Sequence, residues 1–244
     1  MKKIIFLFLI SINTSAELVL EITESSDNPY RIAIHSFDGQ NSISQKISQI
    51  IKADLLRTGE FSVLGSDELL SEESYQDQIN YRNYRLLGVD YILKGKVNSE
   101  DKMNITVSYD IFDSIKEKKI RSSKIFGIPN KTRQLAHYVS DGIYEEITGL
   151  QGVASTKMLY VSEDNDGTSK VYRLMLADAD GMNEQTLLKS NSAIISPSWS
   201  PDSKDISYVS FETGTAKVFI QNIATGKRNW FGDVIFSLAL NIVS

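Results

Sequence analysis

The chain has 244 residues, with 26 Lys and Arg against 31 Asp and Glu, a formal net charge of −5 and no cysteine. The acidic balance disfavours nucleic acid as a partner, because phosphate binding needs a basic surface. Without cysteine, disulfides, thiolate metal sites and a lipid-modified N-terminal cysteine are excluded, and a chain this long can bury a core without crosslinks.

The first residues read as a secretory leader. Lys2 and Lys3 precede an apolar run, Ile4 to Ile12, broken only by Ser11, and Thr14-Ser15-Ala16 supplies the small residues of a cleavage site. The run is well short of the roughly 20 residues that a spanning helix needs. Cleavage after Ala16 leaves a mature chain that begins at Glu17. Residues 17–28 (ELVLEITESSDN) then alternate. In a strand, Leu18, Leu20 and Ile22 face one way, and Glu17, Val19, Glu21 and Thr23 the other, before Pro29 breaks the pattern. Such a strand can add to another protein's sheet or serve as the first strand of its own domain. The residues alone leave both open.

From residue 29 to 150, strands and helices alternate. Residues 31–37 predict a half-buried strand. Residues 42–58 predict a helix with Ile43, Ile47, Ile50, Ile51, Ala53 and Leu55 on its apolar side and Gly59 as its stop. A short strand over 61–64 and a helix over 71–87 follow. Strands are expected at 91–97, 104–112 and 119–127, the last two as a hairpin. The basic run from Lys116 to Arg121 reads as its solvated tip. A helix over 130–148 carries the stripe Leu135, Ala136, Val139, Ile143 and Ile147 and ends at Gly149. The order βαβαβββα predicts a two-layer α/β sandwich with the helices on one face of the sheet.

After a linker at 151–156 the helices stop and the sequence repeats. Tyr160-Val161-Ser162 returns as Tyr208-Val209-Ser210, Lys170-Val171-Tyr172 as Lys217-Val218-Phe219, and Asp180-Gly181 as Thr225-Gly226. A repeat of roughly 40–50 residues with several strands marks propeller blades. Residues 157–228 are expected to hold the first one to two blades of an all-β propeller, and 229–244 an atypical tail of the kind a frameshift leaves.

No constellation points to catalysis, a cofactor or a metal. Asp164-Asn165-Asp166-Gly167 and Asp178-Ala179-Asp180-Gly181 lack the further ligands of a calcium loop and read as hairpin turns. His35 and His137, the only histidines, have no companion at a ligand spacing such as H-x-x-x-H and are expected to be structural. There is no G-x-S-x-G elbow and no glycine-rich phosphate loop, so a propeller-bearing serine peptidase lacks its nucleophile in this chain.

Ser198-Trp199-Ser200-Pro201-Asp202 followed by Ile206-Ser207-Tyr208-Val209-Ser210 resembles the repeated motif of TolB-type propellers, with Ser203 where glycine is usual. Upstream, Ala53-Asp54-Leu55, Thr58-Gly59-Glu60-Phe61, the stretch from Gly88 to Val97 and the helix through Ala136-His137, Ser140-Asp141 and Ile147 to Leu150 also resemble the TolB family. The resemblance implies a monomeric periplasmic component of the Tol-Pal system that is not an enzyme. It implies that the mature N-terminus, Glu17 to Thr23, binds TolA and that the propeller binds Pal, in support of outer-membrane integrity and cell division. The family's propeller has six blades, whereas the residues here suffice for two. The shortfall reads as a truncated or frameshifted frame, or a shortened paralogue. A peptidase missing its catalytic domain, or another exported propeller binding protein, is the alternative.

Overall fold

The computed structural model describes residues 28–39, 41–99, 103–165, 167 and 169–233. The leader with Ala16, the strand expected at Glu17 to Thr23 and the tail beyond Asp233 lie outside the described residues. No described helix is long and apolar enough to cross a membrane.

The first part is a mixed sheet in the order β3-β1-β4-β5-β6, with a two-residue β2 (Asp38–Gly39) also on β4. β1 (Tyr30–Ile34) lies parallel to β3 (Phe61–Leu64) and to β4 (Tyr91–Asn98). β4, β5 (Ile105–Asp113) and β6 (Lys118–Gly127) then run antiparallel. α1 (Asn41–Arg57) and α3 (Thr132–Thr148) cover one face. Their apolar stripes are the ones legible in the sequence: Ile47, Ile51, Leu55, Leu135, Val139 and Ile143 all sink into one core with Ile32, Leu93 and Val107. α3 lies so close to the sheet that a Cβ on Gly142 would sit 2.3 Å from the Tyr109 hydroxyl.

The expected helix over 71–87 is corrected. Only α2 (Tyr81–Leu86) is helical, and the residues before it form a 3-10 turn (Ser66–Glu68) and irregular chain. The amides there are claimed by side chains: Glu73 N–H donates to His35 Nδ1, Ser74 N–H to Asp77 and Tyr75 N–H to Asp38. Such capture by side chains competes with the helical ladder. The placement of every helix on one face is corrected with it. Tyr84 of α2 packs with Ala33 and Ile92, whose side chains leave the sheet on the side opposite to Ile32 and Leu93. Beneath this cover, His35 Nε2 lies 2.6 Å from the Tyr84 hydroxyl, and Lys94, 1% exposed, donates to the Asp77 carbonyl at 2.8 Å.

The second part is two antiparallel sheets, propeller-like in form. β7 (Lys157–Asn165), β8 (Lys170–Asp178) and β9 (Gln185–Ser190) form one. β10 (Ile194–Trp199), β11 (Asp205–Ser210), β12 (Lys217–Asn222) and β13 (Arg228–Asp233) form the other. The repeat falls on corresponding strands, β7 with β11 and β8 with β12, but not in one register. Tyr208 pairs with Phe219, whereas Tyr160 pairs with Met175, in a hairpin of longer strands. The boundary expected at 228/229 falls inside β13, which extends the second sheet. Leu174 of the first sheet shares a core with Ile194, Ile206, Tyr208 and Phe219 of the second.

The Ser198 to Asp202 motif makes the β10–β11 turn. Ser200 Oγ accepts from Asp205 N–H and donates to Asp202, which in turn accepts from Lys204 N–H. Ser203 sits at φ 57°, in the left-handed region that disfavours a side chain by about 1–2 kcal/mol. Ser203→Gly should therefore stabilise the chain by about 1 kcal/mol, less the entropy glycine adds to the unfolded state. A higher urea midpoint at unchanged slope is the expected result, and a lower one would contradict this account of the turn.

Candidate functional site

Asp54 lies on α1 among Ile47, Ile50, Ile51 and Leu55, so helical spacing carries its carboxylate into the helix–helix interface, where it is 3% exposed. A buried carboxylate needs several partners. α3 supplies two from positions three apart. His137 Nδ1 lies 2.7 Å from Asp54 Oδ2, and Ser140 Oγ donates to the same oxygen at 2.7 Å. Arg57, one turn along α1, donates to Oδ1 at 3.1 Å. Burial pushes the Asp54 carboxyl up, but the bonds from His137, Ser140 and Arg57 outweigh it and hold the group below the ordinary carboxylate value.

The same helix reaches the second part of the chain. The turn after β8 presents Asp180, whose Oδ2 lies 3.7 Å from His137 Nε2, with both side chains 3% exposed. The Arg133 guanidinium, one turn earlier on α3, pairs with Asp180 and lies 3.8 Å from Asp178. Asp178 also takes Lys157 and Asn183. Burial raises its carboxyl, and those two partners lower it further than burial raises it. Asp141, on the next turn of α3, accepts the linker amides of Ala154 at 2.7 Å and Ser155 at 3.0 Å. Gly152 approaches Asp141 so closely that a Cβ there would lie 2.5 Å from its Cα. Beside this junction is a cavity of about 330 Å³ lined by Leu55, Arg57, Tyr144, Gln151 and Val153 among others.

Asp54, His137 and Asp180 each offer one atom within 4.8 Å of the others, a group that could in principle hold a metal ion. The chemistry argues otherwise. His137 Nδ1 is committed to Asp54, Asp54 already receives Ser140 and Arg57, and Arg133 occupies Asp180. One imidazole nitrogen remains, and a zinc centre needs at least three protein ligands.

Of the residues singled out in the sequence, Glu17 to Thr23 and Ala16 lie outside the described residues. Asp180-Gly181 forms a turn, with Gly181 at φ 79° and its N–H on the Asp178 carbonyl. Gly167 closes the other at φ 85°, donating to Asn165. His35 and His137 are both buried and both placed by hydrogen bonds. What sequence reasoning missed is that Asp54, Arg133, His137 and Asp180 converge. The available signal was an aspartate inside the apolar stripe of one helix, and a histidine and serine inside that of another.

Two family models match the chain: the TolB amino-terminal domain over residues 18–120 and the TolB beta propeller domain over residues 144–237. The Tol-Pal system protein TolB of Alcanivorax borkumensis is 38% identical over 218 residues, which is 89% of this chain and 50% of that protein. The protein of the same name from Legionella pneumophila subsp. pneumophila is 38% identical over 228 residues, 93% of this chain and 53% of its own length. The crystal structure of TolB from Acinetobacter baumannii superposes with a TM-score of 0.79 at 31% identity, covering 88% of this chain and 52% of that one. The chain thus spans about half the length of the curated relatives it matches.

The buried groups set two acid limits. Burial, opposed by Glu73, holds His35 below its ordinary value of 6.5, so folding favours its neutral form. Its contribution is complete above 6.5 and is lost as pH falls below that value towards the folded one. Asp54 is depressed from 3.8, so its contribution is present above 3.8 and is lost as pH falls through its lower folded value. Urea midpoints across pH should fall in both windows. Asp54→Asn should cost about 3–5 kcal/mol at neutral pH, as for one partner lost from a buried pair, and should flatten only the lower window. An unaltered acid limb in that variant would show that the carboxylate is not held as described.

Proposed function

The chain belongs to the TolB family, and on that footing we propose that it is an exported periplasmic protein that works by binding other proteins of the Tol-Pal system, without catalysis. The observation that carries this reading is the joining, in one chain, of the TolB amino-terminal domain to propeller-like sheets, with 31% identity to a solved TolB across both parts. Neither part alone is as specific, since propeller motifs occur in proteins of many kinds.

In this reading residues 29–150 are a two-layer sandwich of α1 and α3 on the mixed sheet, with the α2 segment as a partial second cover. The two downstream sheets are the first two blades of a propeller. Among the described residues the second has four strands and the first has three. By the repeat, the strand without a counterpart is β10, which pairs with β11. The side of β7 that pairs with no strand among the described residues is then the innermost position of the first blade.

Leu18, Leu20 and Ile22 are the apolar side of a strand that adds to TolA, with backbone pairing supplying affinity and the alternate side chains supplying specificity. Pal is assigned to the propeller. Together the two contacts join inner-membrane and outer-membrane partners in support of outer-membrane integrity and cell division. Deleting residues 17–28 should abolish binding to the C-terminal domain of TolA while the far-ultraviolet dichroism of the chain persists. Leu20→Pro removes a ladder donor and should weaken binding by about tenfold or more, roughly 1.4 kcal/mol. Calorimetry that finds unchanged affinity after the deletion would return this segment to the role of a first strand.

A further inference from the structure

His137 stands between two carboxylates contributed by different parts of the chain. Asp54 accepts from Nδ1, so in the neutral imidazole Nε2 carries a lone pair. That nitrogen is buried and makes no hydrogen bond among the described residues, and the Asp180 carboxylate lies 3.7 Å away. A lone pair thus faces an anion where a donor would face an acceptor. We propose that His137 is a proton-operated clasp between the amino-terminal domain and the first downstream sheet: uptake of one proton at Nε2 turns its contact with Asp180 into a charged hydrogen bond and tightens the docking of the two parts.

The balance of charge around the ring supports this sense. α1 presents Asp54 and Arg57, which is turned to Asp54. α3 presents Arg133, already on Asp180, and Asp141, turned away to the linker amides. The downstream part presents Asp178 and Asp180, and Lys157 of β7 is spent on Asp178. Undocking removes the two downstream carboxylates from the ring and leaves Asp54. The docked state is therefore the one that gains an acceptor for the second proton. Without that proton Arg133 still holds Asp180, so the clasp loosens at higher pH and does not open fully.

One proton linked to docking changes the docking constant by at most about tenfold per pH unit. The test is hydrogen exchange on the full chain, followed in peptides covering the linker amides at Ala154 and Ser155 and the turn at Gly181. Rates are corrected for intrinsic chemistry, at about pH 8 and about pH 5.5, either side of the ordinary histidine range. Protection should rise about tenfold or more at the lower pH. It should become flat with pH in His137→Gln and in Asp180→Asn. If His137→Gln does not fold, Asp180→Asn and the wild-type imidazole decide. The ring's nitrogen-15 shifts should show Nε2 protonated at about pH 5.5.

Equal protection at the two pH values overturns the proposal. So does pH dependence that survives Asp180→Asn, or an Nε2 lone pair retained at the lower pH. Protection at the higher pH produced by zinc, reversed by a chelator and lost in His137→Gln, would replace the clasp with a metal site. Each measurement is made without TolA or Pal, so its failure leaves the proposed binding function standing, and failure of that function leaves the clasp standing.

Discussion

The carboxylate of Asp54 is the constraint from which the arrangement of this chain follows. It is carried into the interface of α1 and α3 by the same helical spacing that buries Ile51 and Leu55. An unpaired carboxylate there would cost several kcal/mol. The bonds from His137 and Ser140 remove that penalty, and only one rotation of α3 supplies both. Once that rotation is set, Arg133 and Asp141 on neighbouring turns point to the downstream part. One meets the turn after β8, and the other holds the linker backbone. A buried charge thus fixes both the packing of two helices and the direction in which the chain leaves them.

The sheet obeys a second constraint of the same kind. Lys94 lies at the centre of β4 with its side chain on the face away from α1 and α3, where a bare ammonium could not be buried alone. The segment before α2 answers it with the Asp77 carbonyl at 2.8 Å and the Glu73 carboxylate at 3.6 Å. His35 and Tyr84 close the arrangement, and burial raises the Tyr84 hydroxyl well above the usual phenol value, with Glu73 adding to the effect. The irregular chain here is therefore a requirement of the face it covers. A regular helix would have returned its amides to its own ladder and left His35 Nδ1 and Asp38 without the donors they receive.

What was legible in the sequence divides along the same line. α1 and α3 could be read with their stops because a 3.6-residue stripe is a local signal, and Gly59 and Gly149 lie at φ 73° and 75° where the helices end. The longer strands of the mixed sheet and the two hairpin turns are local signals too, although β1 stops at Ile34, short of the expected 37, and β2 was not expected. α2 was over-read, since the helix expected over 71–87 includes residues whose amides are taken by side chains, those of Glu73 and Tyr75 by His35 and Asp38, which are distant in sequence. The repeat identified corresponding strands but not their register, because Tyr-Val-Ser and Lys-Val-aromatic fix what alternates and leave the length of the hairpin open. The junction cluster was out of reach. Asp54 and His137 are 83 positions apart, and nothing local to Asp180 distinguishes a turn residue from half of an ion pair.

For the two-partner role proposed for this chain, the connection between its parts needs few states, since a continuously adjustable linker would carry no information between them. α3 meets that need physically. Turning it by one residue rotates every side chain by about 100°, which takes His137 and Ser140 off Asp54 together with Arg133 off Asp180. Intermediate angles satisfy none of these groups, and a packed interface with Gly142 against Tyr109 resists them sterically. The connection is consequently held in one arrangement until something supplies differential binding energy for another. Asp180 and the Asp141–linker bonds are separate from the bonds that His137 and Ser140 make to Asp54, so they can be surrendered while those remain. A change at the downstream sheets can therefore alter docking while the amino-terminal domain keeps its core.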